Sequence, residues 1–142
     1  MNFSHSSDGG LDAFADRLEL VSEEAPRALS EAMAEGIEKA IDAGFAAQSA
    51  PDGSPWEARK APTGSWPILD RNGDMKDTRK ATPDESGVDV TFALEPTIFH
   101  QHGTKKMVAR PVLPWGKAAP RWTDAMDKAC GDKLRAMLEG QR

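Results

Sequence analysis

Two histidines stand two positions apart at the start of the segment His100–Gly116, which we call the docking segment. On a β-strand, residues two apart point to the same face, so His100 and His102 could offer two imidazoles to a zinc ion. A structural zinc site needs four ligands, and the only other histidine, His5, lies close to the N-terminus. We therefore expect hydrogen-bonding or interface roles, no metal and no cofactor; a small metal-dependent enzyme is the alternative.

The same segment carries three basic side chains, Lys105, Lys106 and Arg110. They could contact a phosphate or the carboxylates of a partner protein. Aromatic residues suited to base stacking are not interleaved with them, so a protein interface is favoured over nucleic acid. Arg110 lies between Ala109 and Pro111, where the backbone is stiff and a planar guanidinium is held in place. We expect Arg110 to form an ion pair between chains.

No ordered motif for catalysis joins the serine, histidine and aspartate residues of this chain, and we expect no enzyme activity. The run Asp70–Asp77 is rich in carboxylates, but the glycine and glutamate that a calcium-binding EF-hand needs are not at their positions. Its composition is typical of a solvated turn.

The length of 142 residues, with 39% hydrophobic and 29% charged side chains, predicts one domain over 1–142. A net charge of −5 disfavours a DNA-binding regulator, because phosphate backbones repel an acidic protein. No run of about 18 apolar residues occurs, so we expect no membrane contact and synthesis in a host cytoplasm. The single cysteine, Cys130, excludes an internal disulfide.

Amphipathic periodicity predicts helices at both ends of the chain. Apolar residues recur every three or four positions from Leu11 to Phe45, after a flexible tail at residues 1–10. Pro26 predicts a break or bend in this helical segment near Ser22–Pro26. A second amphipathic helix is predicted from Pro120 to about Gly140.

Between the helices, the prolines and glycines at residues 49–67 predict an extended connector. Its Trp56 and Trp66 should pack either onto the core or onto a partner chain. The alternating pattern of residues 88–94 predicts a strand, paired as a hairpin with residues 77–82. Residues 106–112 predict a third strand that Pro111 restricts to an edge. The predicted fold is α+β: a long N-terminal helical segment, a small antiparallel sheet with a long proline-rich connector, and a C-terminal helix.

Five stretches together resemble a known family: SPDGSPW, ILDRNGDMKD, VDVTFAL, FHQHGT and ARPVLPW. In this order and spacing they resemble the phage virion morphogenesis family, the tail completion group of Mu-like and P2-like phages. The resemblance runs from about Gly36 to Gly116, and its most specific parts are the PxG-xPW connector and the HQxG and ARP motifs. The chain departs from the family pattern where Asn72 replaces a threonine and Thr78 replaces a serine.

The resemblance implies a structural protein of the virion neck, which completes or terminates the tail and joins it to the head. It implies a homo-oligomeric ring, six-fold to match the tail, that contacts tail tube and head–neck proteins while DNA passes through its lumen. No sequence-specific binding of that DNA is implied. The alternative from the same class is a head-side stopper or adaptor ring.

In this interpretation the docking segment contacts neighbouring proteins. His100, Gln101 and Arg110 orient it, while prolines and apolar residues stiffen it and become buried. The residues expected at interfaces are Trp56, Trp66, His100, Gln101, His102, Arg110, Pro111, Leu113 and Trp115.

Overall fold

The computed structural model describes residues 10–60, 64–116 and 119–140; the side chains of residues 10–14 and 17 are not described. The described part is α+β, with a long first helix, one small antiparallel sheet and a last helix, as predicted. Of the tail expected at residues 1–10, only Gly10 is described, and it begins the first helix. None of the described helices is long and apolar enough to cross a membrane.

The first helix, α1, runs without interruption from Gly10 to Ala47 and contains Pro26. Of the break or bend predicted near Ser22–Pro26, the break is therefore wrong, and a bend stays a prediction. Proline leaves the carbonyl of Ser22 without its helical amide partner, but Ser22 and Pro26 are both exposed, so water can hydrate that carbonyl. Buried residues on either side, Val21 and Ser30, hold the helix to the rest of the chain.

The last helix, α4, spans Pro120–Glu139 and packs antiparallel along α1. Two contacts set the alignment: Gly36 faces the backbone of Ala125, and the Cys130 Sγ lies 3.6 Å from the carbonyl oxygen of Leu29. A Cβ atom at position 36 would approach the Ala125 carbonyl oxygen to 2.8 Å. The two helices can therefore approach this closely only because residue 36 is glycine.

The sheet is a single hairpin of β1, Arg79–Pro83, and β2, Val88–Phe92, with Ala81 opposite Val90. It confirms the predicted pairing. A short helix, α2 (Asp74–Asp77), precedes β1, and a seven-residue helix, α3 (Pro96–His102), follows β2. Residues 106–112 form no strand, so the prediction of a third strand is wrong.

The core forms where the C-terminal half of α1 meets the connector, the docking segment and the start of α4. The hairpin packs against the same part of α1, chiefly through β1. The buried members of this core are Ile37, Ala40, Ile41, Phe45, Ala50, Trp56, Met75, Val112 and Trp122.

Candidate functional site

Helix α3 forms the base of the docking segment. It begins at Pro96, whose missing amide is not needed in a first turn, and ends at His102; φ of the next residue, Gly103, is 72°. A Cβ atom at Gly103 would lie 2.9 Å from the Ala109 nitrogen, so only glycine permits the chain to turn back here. The turn continues through a bridge between Thr104 and Met107.

The two histidines lie on α3 and not on a strand. The prediction that both imidazoles point to the same face, on which a shared metal site depended, is therefore wrong. Residues two apart on an α-helix point about 200° apart, so the imidazoles diverge. His100 lines a cleft together with Arg110, whereas the His102 ring packs edge-on against Trp115 with 4.8 Å between ring centroids. Among the described residues, no group of three or more His, Cys, Asp or Glu side chains could hold a metal ion.

Gln101 holds the second half of the docking segment by three hydrogen bonds. Its Oε1 accepts the amides of Val112 and Leu113 at 2.9 and 3.0 Å, and its Nε2 donates to the Leu113 carbonyl oxygen at 2.8 Å. The side-chain amide thus takes the place that a neighbouring strand would have in a sheet. This contact fixes the chain around Leu113 relative to α3.

Arg110 joins the docking segment to the connector. Its amide donates to the His100 carbonyl at 2.7 Å, its Nε to the carbonyl of Glu57 at 2.8 Å, and one Nη to that of Ala58 at 3.2 Å. The residue is buried, with 8% of its surface exposed. The guanidinium of Arg110 is therefore held in place, as expected, but it binds carbonyl groups of its own chain. An ion pair between chains remains a prediction.

Trp56 fastens the connector to the same segment. Its indole Nε1 donates to the Pro111 carbonyl at 2.9 Å, and its ring packs edge-on against Phe45 of α1 with centroids 5.5 Å apart. Of the two roles that the sequence left open for Trp56, the structure shows packing onto the core. This single side chain links α1, the connector and the docking segment.

Trp66 lies apart from Trp115, in the wall of the cleft that His100 and Arg110 also line. The guanidinium groups of Arg59 and Arg71 lie 5.5 and 4.7 Å from its ring centroid, within cation–π range. The cleft has a volume of about 470 Å³. Trp66 is half-buried in its own chain, and a contact with another protein remains a prediction.

Trp115 is the most exposed of the three tryptophans expected at interfaces, with 56% of its surface exposed. It lies beside Pro114 at the end of a second cavity of about 220 Å³, to which Pro51 and Pro111 also contribute. Prolines have a fixed φ and no amide donor, so they give this surface a stiff and mainly apolar wall. Trp115 can therefore be covered by another protein without rearrangement of the segment.

His100 carries the main electrostatic perturbation of the site. Burial lowers the pKa of its imidazole from the usual 6.5, and the positive charge of Arg110 lowers this pKa further. Its Nδ1 is buried without a hydrogen-bonding partner among the described residues. Each of these factors favours the neutral ring at pH 7, so His100 contributes little positive charge to the cleft.

Sequence reasoning did not single out Gln48, which makes a contact equivalent to that of Gln101. Gln48 adopts a positive φ of 52° just after α1, and its side-chain amide exchanges hydrogen bonds with the amide and carbonyl of Ile68. It holds the far end of the connector against α1. A lone glutamine after a helix has no spacing pattern, so the sequence offered no signal for this role.

The arrangement holds a rigid segment by glutamine, arginine and tryptophan side chains and leaves one tryptophan exposed, which suits docking to another protein. Comparison with curated proteins gave no match, and comparison with solved structures gave none either. Residues 8–123, most of the chain, match the model of the phage virion morphogenesis family. The chain therefore belongs to the phage virion morphogenesis family and has a structural role in building a bacteriophage virion.

Proposed function

We propose that this protein completes the phage tail and joins it to the head, as a homo-oligomeric ring around the DNA path in the neck. The observation that carries the proposal is the family match over residues 8–123. A hexamer would match the six-fold symmetry implied for the tail. The ring contacts tail tube proteins on one side and head–neck proteins on the other, and the protein is not an enzyme.

The docking segment supports this role because it is rigid before any partner binds. Gln101 and Arg110 fix it to α3 and the connector, and Trp56 fixes it to the connector, through hydrogen bonds of 2.7–3.2 Å. The ring of Trp56 also packs against Phe45 of α1. A preorganised surface loses little conformational entropy on binding, so more of the contact energy appears as affinity. Exposed Trp115 is the anchor, since tryptophan is enriched among residues that dominate interface energies.

The acidic balance of the chain fits the passage of DNA. With a net charge of −5 the chain as a whole repels phosphates, which fits DNA that passes through the lumen without sequence-specific binding. A positive electrostatic potential along the inner wall of the assembled ring would contradict this part of the proposal.

Complementation of a phage that lacks the gene tests the function. Without the protein, electron microscopy should show filled heads and separate tails, and the wild-type gene should restore joined virions. Trp115→Ala should restore far fewer joined particles, whereas Trp115→Phe, which keeps an aromatic apolar face, should restore most of them. Circular dichroism of the purified variants checks that both fold.

Normal virions in the absence of the protein would contradict the proposal. Its position is tested separately by imaging the neck of intact particles. Six-fold density on the tail side supports a tail-completion ring, whereas twelve-fold density on the head side would identify a stopper or adaptor instead.

A further inference from the structure

Hydrogen bonds at the two ends of the hairpin show which backbone groups of β2 face outward. At the strand end, the amide of Ala93 donates to the carbonyl of Thr78 at 3.3 Å. At the turn, the amide of Asp84 donates to the carbonyl of Gly87 at 2.9 Å. Hydrogen-bonded pairs in an antiparallel ladder alternate with pairs whose backbone groups point away from each other. Every second residue of β2, beginning at Val88, therefore directs its amide and carbonyl away from β1.

These outward-facing residues, Val88, Val90 and Phe92, make β2 an open edge. The sheet has two strands, and no hydrogen bond joins the backbone of these residues to another part of the chain that the structure describes. The opposite edge of the hairpin differs, because Pro83 has no amide donor there and β1 packs along α1. The edge of β2 is therefore the one at which a further strand can add.

A groove of about 450 Å³ lies beside this open edge, between β2 and α3. It is lined by Val90 and Phe92 of β2, by Ile98 of α3 and by Leu113 of the docking segment. Ile98 is 57% exposed, so apolar surface in the groove is uncovered in this chain. The volume lies within the range of about 300–1,000 Å³ that is typical of ligand sites. The groove thus has room for the side chains of a strand that pairs with β2.

Carboxylates accompany the open edge. Glu95 is exposed and lines the groove, to which no described lysine or arginine contributes. Asp89 is exposed on the other face of β2, and Thr82, opposite it on β1, is uncharged. Neither carboxylate forms an ion pair with any described residue. Both can therefore receive a basic side chain from a partner.

We propose that β2 binds an extended strand of another virion protein in antiparallel alignment. The strand places apolar side chains in the groove and a basic side chain opposite Asp89. The outward-facing residues of β2 offer their amides and carbonyls to its backbone. Strand addition gains affinity from backbone hydrogen bonds and specificity from alternate side chains. The inference rests on the proposed function only for the source of the strand.

A strand from a different protein fits the edge better than the strands of this chain. Residues 106–112, expected to form a third strand, are instead held against α3 by hydrogen bonds of the Arg110 and Val112 amides. A second copy offers less, because β2 contains no basic residue and Pro83 removes an outward donor from β1. A different protein can supply a basic residue opposite Asp89, and facing residues of opposite charge stabilise a strand pair.

A synthetic peptide tests the site in the full-length protein. The probe is the acetylated and amidated peptide Lys-Val-Lys-Val-Lys-Val-Lys, whose valines lie on one face of a strand and whose lysines lie on the other. In a nuclear magnetic resonance titration it should shift the amide signals of Val88, Val90 and Phe92. At a peptide concentration about ten times the Kd, hydrogen exchange at these amides should slow by about tenfold.

Two control peptides separate backbone pairing from charge. N-methyl groups on the valines remove the donors that face β2 in antiparallel alignment, so this peptide should shift none of the three signals. Glutamates in place of the lysines bring like charges to Asp89 and should weaken binding by about fivefold or more. Equal binding of the N-methylated peptide would overturn strand addition. Equal binding of the glutamate peptide would overturn the pairing of a basic residue with Asp89.

Matched proline variants locate the edge that binds. Val90→Pro removes an outward amide from β2, whereas Ala81→Pro, directly opposite on β1, removes one from the other edge. Neither change removes a hydrogen bond between the two strands, because both amides point away from the hairpin. The shifts of Val88 and Phe92 should be lost in Val90→Pro and kept in Ala81→Pro. Equal shifts in both variants would overturn the assignment of the open edge.

A second pair of variants leaves the hairpin unchanged and so keeps the test valid if Val90→Pro fails to fold. Ile98→Gln removes an exposed apolar side chain from the groove and should weaken peptide binding by about fivefold. Phe99→Gln changes the next residue, which is 47% exposed and does not line the groove, and should leave binding unchanged. Equal affinities of the two variants would overturn the role of the groove.

Complementation of the phage connects the site to assembly. Ile98→Gln should restore fewer joined particles than Phe99→Gln. A peptide that does not bind, with joined virions still restored by the wild-type gene, would overturn this inference and leave the proposed function intact. Signals of β2 that shift with the concentration of the protein alone would place a second copy at the edge and overturn a different protein as the occupant. Normal virions without the gene would overturn the proposed function, whereas the peptide result would stand.

Discussion

Replacing Gln101 by leucine tests whether one side-chain amide holds the docking segment. The change removes two hydrogen bonds to the amides of Val112 and Leu113 and one to the Leu113 carbonyl. At about 0.5–1.5 kcal/mol each, three such bonds amount to about 1.5–4.5 kcal/mol. The groups are only partly buried and regain some water, so we expect a local loss of about 2 kcal/mol.

Hydrogen exchange measures this loss at the two amides concerned. A local loss of about 2 kcal/mol corresponds to an exchange rate at Val112 and Leu113 that is about thirtyfold faster. The amide of Ala34, buried within α1, is the internal reference and should change much less, because Ala34 lies outside the buried cluster that contains Val112.

Gln101→Glu separates the acceptor from the donor. The carboxylate can still accept the two amides, but it cannot donate to the Leu113 carbonyl and places a negative charge beside it. We expect protection of Val112 and Leu113 to fall between the wild-type and leucine variants. Unchanged protection of Val112 and Leu113 in Gln101→Leu would refute the reasoning, because the two amides would then be held by other contacts.

Three further predictions concern stability. Gly36→Ala should lower the free energy of unfolding by about 1–3 kcal/mol in urea titrations, because the new Cβ would lie 2.8 Å from the Ala125 carbonyl oxygen. An unchanged urea midpoint would show that the helices can separate freely. Pro26→Ala should raise the melting temperature, because alanine restores the amide donor to the Ser22 carbonyl and costs up to about 3 kcal/mol less than proline within a helix. The lowered pKa of His100 means that the unfolded chain binds a proton at this imidazole more readily than the folded chain does. The free energy of unfolding should therefore be highest above pH 6.5 and fall as the pH drops through 6.5, relative to the His100→Gln protein. Parallel pH profiles of the two proteins would contradict this.

The helices at both ends could be predicted from the sequence because their apolar faces repeat with helical spacing. The break near Pro26 was wrong because a proline on an exposed helix surface leaves its carbonyl partner to water, and packing on either side is enough to keep the helix uninterrupted. The packing of α1 against the rest of the chain therefore outweighs the local tendency of proline to break a helix. A single sequence does not show such tertiary contacts.

The hairpin was also predictable, since Val88, Val90 and Phe92 alternate with polar residues and a turn sequence precedes them. The third strand failed for a different reason. The backbone groups of Val112 and Leu113 need partners, as those of a strand do, but the side chain of Gln101 supplies them. A sequence pattern can indicate an extended segment with one buried face, but it does not show whether a backbone or a side chain supplies the hydrogen bonds of that segment.

The site was predictable in its residues but only partly in its geometry. Arg110 was identified by its place between Ala109 and Pro111, and Gln101 by the resemblance to the family. Helix α3 has too few turns to show an apolar period, so His100 and His102 were placed on a strand. Their divergence on α3 follows from the helix alone, and it assigns them separate surroundings: the cleft for His100 and the face of Trp115 for His102.

Two glutamines and one arginine explain how a chain with so little sheet can present a rigid docking surface. Gln48 fixes the end of the connector to α1, Arg110 fixes its middle to the docking segment, and Gln101 fixes that segment to α3. Each contact joins a side chain to backbone groups. The side chains of the residues that supply those backbone groups therefore matter little to the contact. An exposed neighbour such as Trp115 can therefore vary to suit a partner while the path of the chain stays the same, which is the property that a docking protein requires.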